Sequence, residues 1–206
     1  MTALPMFPLG SVLFPYAMLP LHVFEPRYRL MTKHVLEGDK EFGVVLIERG
    51  HEVGGGDVRS SLGTVAQIVQ ATEAPDGRYG LVTVGVRRIE VVEWLLDDPY
   101  PQAVVRTLPD VPATDDDVRA LARVSAALSH LADIARRIDP RVEIPAALDS
   151  DPLRASYEAA ALAPIGAYDA QRVLAAPTAG DRLQLLETLL VDRAAEIEAR
   201  FGESEG

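Results

Sequence analysis

Cysteine is absent from the sequence. That excludes disulfide frameworks, thiolate zinc sites and cysteine nucleophiles, and it agrees with a reducing, cytoplasmic setting. Lysine is nearly missing: Lys33 and Lys40 are the only two, and neither lies at a motif-like offset from a serine. Trp94 is the single tryptophan, which leaves little material for an aromatic platform. Basic charge is scarce as well. The 31 acidic residues outnumber the 20 basic ones, giving a net charge of -11, a poor balance for neutralising phosphates. A nucleic-acid partner is therefore not expected.

Charge of either sign is missing from Met1 through Phe24, after which Glu25, Arg27 and Arg29 arrive together. A membrane-spanning helix needs roughly 20 apolar residues with an unbroken backbone ladder. Here Pro8, Pro15 and Pro20 each remove a donor, so no membrane anchor is expected. A signal peptide would carry a basic leading segment and a small-residue cleavage site, and neither is present. Short apolar runs bounded by turn residues fit buried strands, so "LPMFPLG", "SVLFP" and "LPLHVF" are expected to open a β core.

The chain stays β-rich to about residue 110. "EFGVVLIE" (Glu41 to Glu48) is a buried-strand run. "PDGR" places Asp76-Gly77 between two valine-rich runs, a strong hairpin signal; "GVRRIEVVEW" and "PQAVVRTL" read as two further strands. Pro26 suits a first helical turn, and Tyr28, Met31 and Val35 then recur at helical spacing up to Gly38. "GHEVGGGDVRSS" (Gly50 to Ser61) reads as an exposed loop. Beyond Val111 the texture becomes helical. Thr114 can cap a helix led by Asp115, Asp116 and Asp117, with Val118, Leu121, Ser125, Leu128, Ala132 and Ala135 along its apolar face. Further helices are expected from Asp151-Pro152, then to Ala175, then from Thr178 and Asp181. The last carries Leu183, Leu186, Leu190, Ala194, Ile197 and Phe201 on one stripe. Residues 1–110 thus form a β domain and 111–206 an α-helical segment, an α+β organisation.

Catalytic motifs are sparse. His22, His34, His51 and His130 never stand at helical metal-ligand spacing, and no metal site or cofactor is expected. Gly54 to Gly56 lack the Lys-Ser/Thr and the helix start of a phosphate loop. No serine sits in a nucleophile elbow. No catalytic residue is assigned, and the chain is not read as an enzyme. The segment with most to offer is "LPLHVFEPRYRLM". Its plain reading is structural: Pro26 starts a helix, Glu25 sits near the positive end, and Phe24 and Tyr28 pin the entry to the core. Its functional reading is an apolar rim flanked by Arg27 and Glu25 that holds an extended, partly hydrophobic peptide.

These same residues resemble a known family. "LPMFPLGSVLFPYAMLPLHVFEPRYRLM", "GDKEFGVVLIERGHEVGGG", "GTVAQI" and "PDGRYGLVTVGVRRIEV" resemble, in order, the amino-terminal substrate-binding domain of Lon proteases, particularly stand-alone bacterial proteins of that domain. "VLAAPTAGDRLQLLETLLVDRAAEIE" is similar to the family's last helices, which an Arg-Leu pair (Arg182-Leu183) opens. Tyr16 stands where many members have glycine. The resemblance implies a PUA-like, mostly antiparallel β pseudo-barrel followed by helices. It also implies recognition of unfolded or degron-bearing polypeptides in protein quality control, with contacts around Phe24, Glu25, Arg27 and Tyr28. A protease or chaperone is a further implied partner. The ATPase and protease modules are not expected here, since the sequence holds no G-x-x-x-x-G-K-[ST]. Two other classes remain open: an RNA-binding PUA-like protein using Arg87, Arg88 and Trp94, and an enzyme whose site gathers His22, Glu25, Arg27 and His51. The oligomeric state is not set by the sequence.

Overall fold

The structure, a computed structural model, describes residues 2–49, 58–139, 141 and 147–202. It divides into two compact units, Met1–Pro109 and Asp110–Gly206.

The first unit holds β1 (Thr2–Leu9), β2 (Met18–Val23), α1 (Pro26–Glu37), β3 (Glu41–Arg49), β4 (Val58–Glu73), β5 (Tyr79–Trp94) and β6 (Gln102–Thr107). The sheet order is β2-β5-β4-β3-β1-β6, with a further β5–β6 pairing. That pairing closes β1, β3, β4, β5 and β6 into a ring and leaves β2 outboard. Only β1 and β3 run parallel; every other pairing is antiparallel. β5 serves two neighbours: Tyr79–Val84 pairs with β2, and Ile89–Trp94 pairs with β6.

Strands β1 and β3 are buried on both faces, which is why they read as continuous apolar runs. One face supplies Met6 and Val45 to a cluster with Val65, Ile89, Ala103 and Val105. The other supplies Phe7, Phe42 and Val44 to a second cluster with Val23, Tyr28, Met31, Val35 and Leu81. Helix α1 lies over this second cluster. Pro26 occupies its first turn, and Tyr28, Met31, Thr32 and Val35 form its buried stripe.

Several strand expectations need correction. "SVLFP" is irregular, with a bend at Ser11 and a turn beginning at Pro15 that leads into β2, not a strand. "GLVTV" and "GVRRIEVVEW" belong to one strand, β5, because Gly85 and Val86 stay within the ladder. Val58 to Ser61 of the expected loop lie in β4, paired with β3 through Arg59 and Val58. Gly50 to Asp57, including His51 and the triple glycine, lie outside the described residues. The hairpin at Asp76-Gly77 forms, with Gly77 at φ 76°.

The second unit contains α2 (Asp115–Ile138), α3 (Pro152–Leu162), α4 (Ala167–Ala175) and α5 (Ala179–Gly202). Thr114 and Asp117 form a capping box at α2. Asp151 accepts from Leu153 N at α3, and Thr178 and Asp181 satisfy each other's backbone at α5. On the α5 stripe Leu183, Leu186, Leu190 and Ala194 are buried and Ile197 is half-buried, while the Phe201 side chain lies outside those described. The α2 face is rotated from expectation: Ala120, Val124, Leu131, Ala132 and Ile134 are buried, whereas Val118 is 54% exposed. Arg182 explains why an arginine precedes the leucines of α5. It is fully buried, lies over the Tyr157 ring at 4.0 Å, and donates to Ser156 Oγ and the Ala176 carbonyl. Tyr157 OH donates to Asp110 at 2.6 Å, and the same carboxylate lies 4.0 Å from the Arg182 guanidinium. A buried charge of this kind is tolerated because it is paired and hydrogen-bonded.

Candidate peptide-binding surface

The turn before β2 decides how that strand is seated. Tyr16 adopts φ 66°, donates its N–H to Gly85 O at 2.7 Å, and is followed by Ala17 O accepting from Gly85 N at 2.9 Å. Gly85 allows this approach: a Cβ there would collide with the Phe14 carbonyl oxygen. From that point Met18 faces Val84, Pro20 faces Val82 and His22 faces Gly80. On β4, Gln67 faces Val84 and Gln70 faces Val82.

Residues directly opposite each other share a face. Met18, Pro20 and His22 therefore stand with Val82 and Val84 on the side of the sheet away from the core, while Leu21 and Val23 turn inward. Met18 is 68% exposed and Phe24, just past the strand end, is 52% exposed; its ring centroid lies 6.1 Å from that of His22. Tyr16 and Val86 are also exposed. The segments that meet here carry no charged side chain: Tyr16–Phe24, Gln67–Thr72 and Tyr79–Val86 contain no Asp, Glu, Lys or Arg. In a chain of net charge -11, the β2 end of this face is uncharged; the row through Met18, Val84 and Gln67 reaches charge only at Glu41 on β3, which is paired with Arg87.

The four residues expected at the corner separate by role. Phe24 is water-facing. Glu25 and Arg27 form an ion pair at 3.1 Å and are both half-buried. Tyr28 corrects the expectation of a ligand contact. It is 3% exposed, stacks on Phe7 with centroids 4.2 Å apart, and is covered by the Arg27 guanidinium at 4.5 Å. Its helical spacing with Met31 and Val35 carried that signal. Met18, Val82 and Val84 carry no site signal in the sequence, and Pro20 stands out there only as a break in the backbone ladder. They become neighbours only through the β2–β5 register, although the charge-free runs on both strands were visible.

The residues of the RNA-binding alternative do not converge. Arg87 and Arg88 point opposite ways, as strand alternation requires. Arg87 makes a bidentate pair with Glu41 at 2.8 and 2.6 Å, and Arg88 is buried. Trp94 is half-buried under the Arg59 guanidinium at 4.7 Å. His51 lies outside the described residues, and no three His, Asp or Glu among the described residues are placed to hold a metal ion. No described helix is long and apolar enough to cross a membrane. A separate polar cavity of about 720 Å³ is lined by His34, Glu41, Arg87, Tyr100 and Arg106. Its groups largely serve one another: His34 Nδ1 lies 3.0 Å from Tyr100 OH, and burial pushes the Tyr100 phenol above its ordinary pKa.

The class is thus a mixed α+β protein, a six-stranded, mostly antiparallel sheet with five helices among the described residues. Residues 3–192 match the substrate-binding domain of ATP-dependent protease La (LON), and the chain belongs to that family. Lon protease 1 of Herpetosiphon aurantiacus is 28% identical over 193 residues, covering 88% of this chain and 23% of that protein. Lon protease 2 of Myxococcus xanthus is 35% identical over 122 residues, covering 57% of this chain and 15% of that protein. The chain therefore spans less than a quarter of these curated relatives. Among solved structures, the Lon N-terminal domain protein from Xanthomonas campestris superposes with a TM-score of 0.67 at 24% identity, covering 90% of this chain and 97% of that one. The N-terminal domain of the Mycobacterium avium complex Lon protease gives 0.64 at 18% identity, covering 93% and 99%.

Proposed function

We propose that the chain is a non-catalytic binding module that captures unfolded or degron-bearing polypeptide segments on the outer face of β2. The observation that carries this reading is the neutral, exposed row of Met18, Pro20 and Phe24 on a strongly acidic protein. Large apolar side chains exposed together on an uncharged strand mark an interaction surface, and membership of a substrate-binding domain family supports a protein ligand. The bound segment is extended, apolar and low in charge. Val82 and Val84 form the floor, and Met18 and Phe24 form the walls. Arg27 and Glu25, already paired with each other, shape the corner without attracting charge of one sign. A Lon-type protease or a chaperone is the partner to which such a module would deliver its client.

The test is equilibrium binding of an uncharged, unfolded client peptide to the wild type, Phe24→Asp and Met18→Asp. Burying a large apolar side chain is worth roughly 1.5–3 kcal/mol; each substitution should therefore weaken binding by about tenfold or more while thermal unfolding stays near wild type. Absence of saturable binding to the folded wild type would sink the reading.

A further inference from the structure

Strand β2 ends the sheet: among the described residues it pairs with β5 alone. In an antiparallel pair, residues alternate between those that exchange main-chain hydrogen bonds with the partner and those that do not. Gly85 N donates to Ala17 O, which sets the phase. Leu19, Leu21 and Val23 turn their main-chain groups toward β5, and Met18, Pro20 and His22 turn theirs away. The free edge thus offers the N–H groups of Met18 and His22 and the carbonyls of Met18, Pro20 and His22. Proline has no N–H to offer, so the central residue of the edge only accepts.

Exposed edges are ordinarily guarded by charged side chains, lysine above all, or by proline. From Met18 to Phe24 no charge is present, and Pro20 is the only such guard on the strand. We propose that β2 takes its client as an added β-strand, and that Pro20 is the specificity-determining residue that keeps this edge open to a foreign strand while disfavouring a second copy's β2. This rests on the peptide-capture reading above. The partner is an uncharged extended segment that has no proline facing the edge. Such a guest loses one hydrogen bond at Pro20. Two copies pairing about a two-fold axis bring two prolines to the ladder, so they lose two, and the self-pair is the weaker. Apolar side chains of the guest then alternate onto Met18, Phe24 and the valine floor, and its remaining side chains face the opposite side of the added strand.

The experiment uses the wild-type chain and one uncharged, alternating valine–threonine peptide, N-methylated in turn on its odd or its even residues. Strand addition requires that one series lose affinity and the other retain it, because only alternate amides face β2. A net hydrogen bond is worth about 0.5–1.5 kcal/mol, hence roughly fivefold per lost bond. Pro20→Val restores a donor. It should tighten the unmethylated peptide by roughly fivefold and should produce concentration-dependent self-association in sedimentation equilibrium. Equal affinity of both methylated series, with the parent peptide bound, overturns strand addition and leaves face recognition standing. A folded Pro20→Val variant with unchanged affinity and no self-association overturns the role of Pro20. No binding of the parent peptide overturns both the inference and the reading beneath it.

Discussion

Tyr16 holds a left-handed backbone conformation, φ 66°, that costs a non-glycine residue roughly 1–2 kcal/mol. Its side chain is 42% exposed, two residues before Met18 in the chain. Such strain is retained where the surroundings or the function demand it. Tyr16→Gly is therefore expected to raise stability in chemical denaturation by about 1 kcal/mol, part of the relief being offset by glycine's greater unfolded entropy. The same variant should bind a client peptide about threefold more weakly, because an exposed aromatic is lost. Opposite signs in the two measurements would mark Tyr16 as a binding residue; equal signs would make it purely structural. At this scale the sequence announced much of the corner but not its orientation. The cluster of Phe24, Glu25, Arg27 and Tyr28 was visible as a sudden meeting of bulk and charge. Which ring faces water depends on the direction of α1's buried stripe, and that stripe takes Tyr28 inward with Met31 and Val35.

The element that matters most is β2, and its placement depends on one glycine of its neighbour. Gly85 lets the turn before β2 lie against β5, where an added Cβ would meet the Phe14 carbonyl. Gly85→Ala should destabilise the protein by about 1–3 kcal/mol, the usual cost of overpacking, and should weaken peptide binding by displacing Met18. Gly80 on the same strand faces open space, so Gly80→Ala should leave stability within about 0.5 kcal/mol. Denaturant titration of the two variants separates a seating role from a general intolerance of side chains on β5. Helix starts were readable from the sequence, since capping chemistry at Thr114, Asp151 and Thr178 is local and forms as expected. Strand limits were less so. β5 runs through Gly85 because cross-strand partners on β2 and β4 hold it there, a non-local cause. On α2, Leu121, Leu128 and Ala135 fit a helical stripe, yet the helix buries the adjacent stripe of Ala120, Val124, Leu131 and Ile134. Periodicity finds an amphipathic helix; its neighbours choose the phase.

Within the first unit, the uncharged stretches Met18–Val23, Gln67–Thr72 and Tyr79–Val84 lie side by side. The ring of β1, β3, β4, β5 and β6 brings together charge-free stretches that are remote in sequence, and β2 extends them beyond the ring. The composition showed that acidity was general; only the strand order of the fold shows that the β2 end of one face is free of it. An apolar docking surface of this kind should bind with little salt dependence, the peptide affinity changing less than about twofold between low and physiological ionic strength. A phosphate-contacting RNA reader would instead lose affinity by orders of magnitude over a similar range. The most direct measurement of where a client sits is backbone amide NMR of the full chain, titrated with an uncharged unfolded peptide. Perturbations confined to Tyr16–Phe24 and Gly80–Val86 are expected, with Met18 and His22 amides shifted most. Perturbations centred on the α2–α5 helices or on the polar cavity at His34 and Tyr100, with β2 silent, would contradict the account.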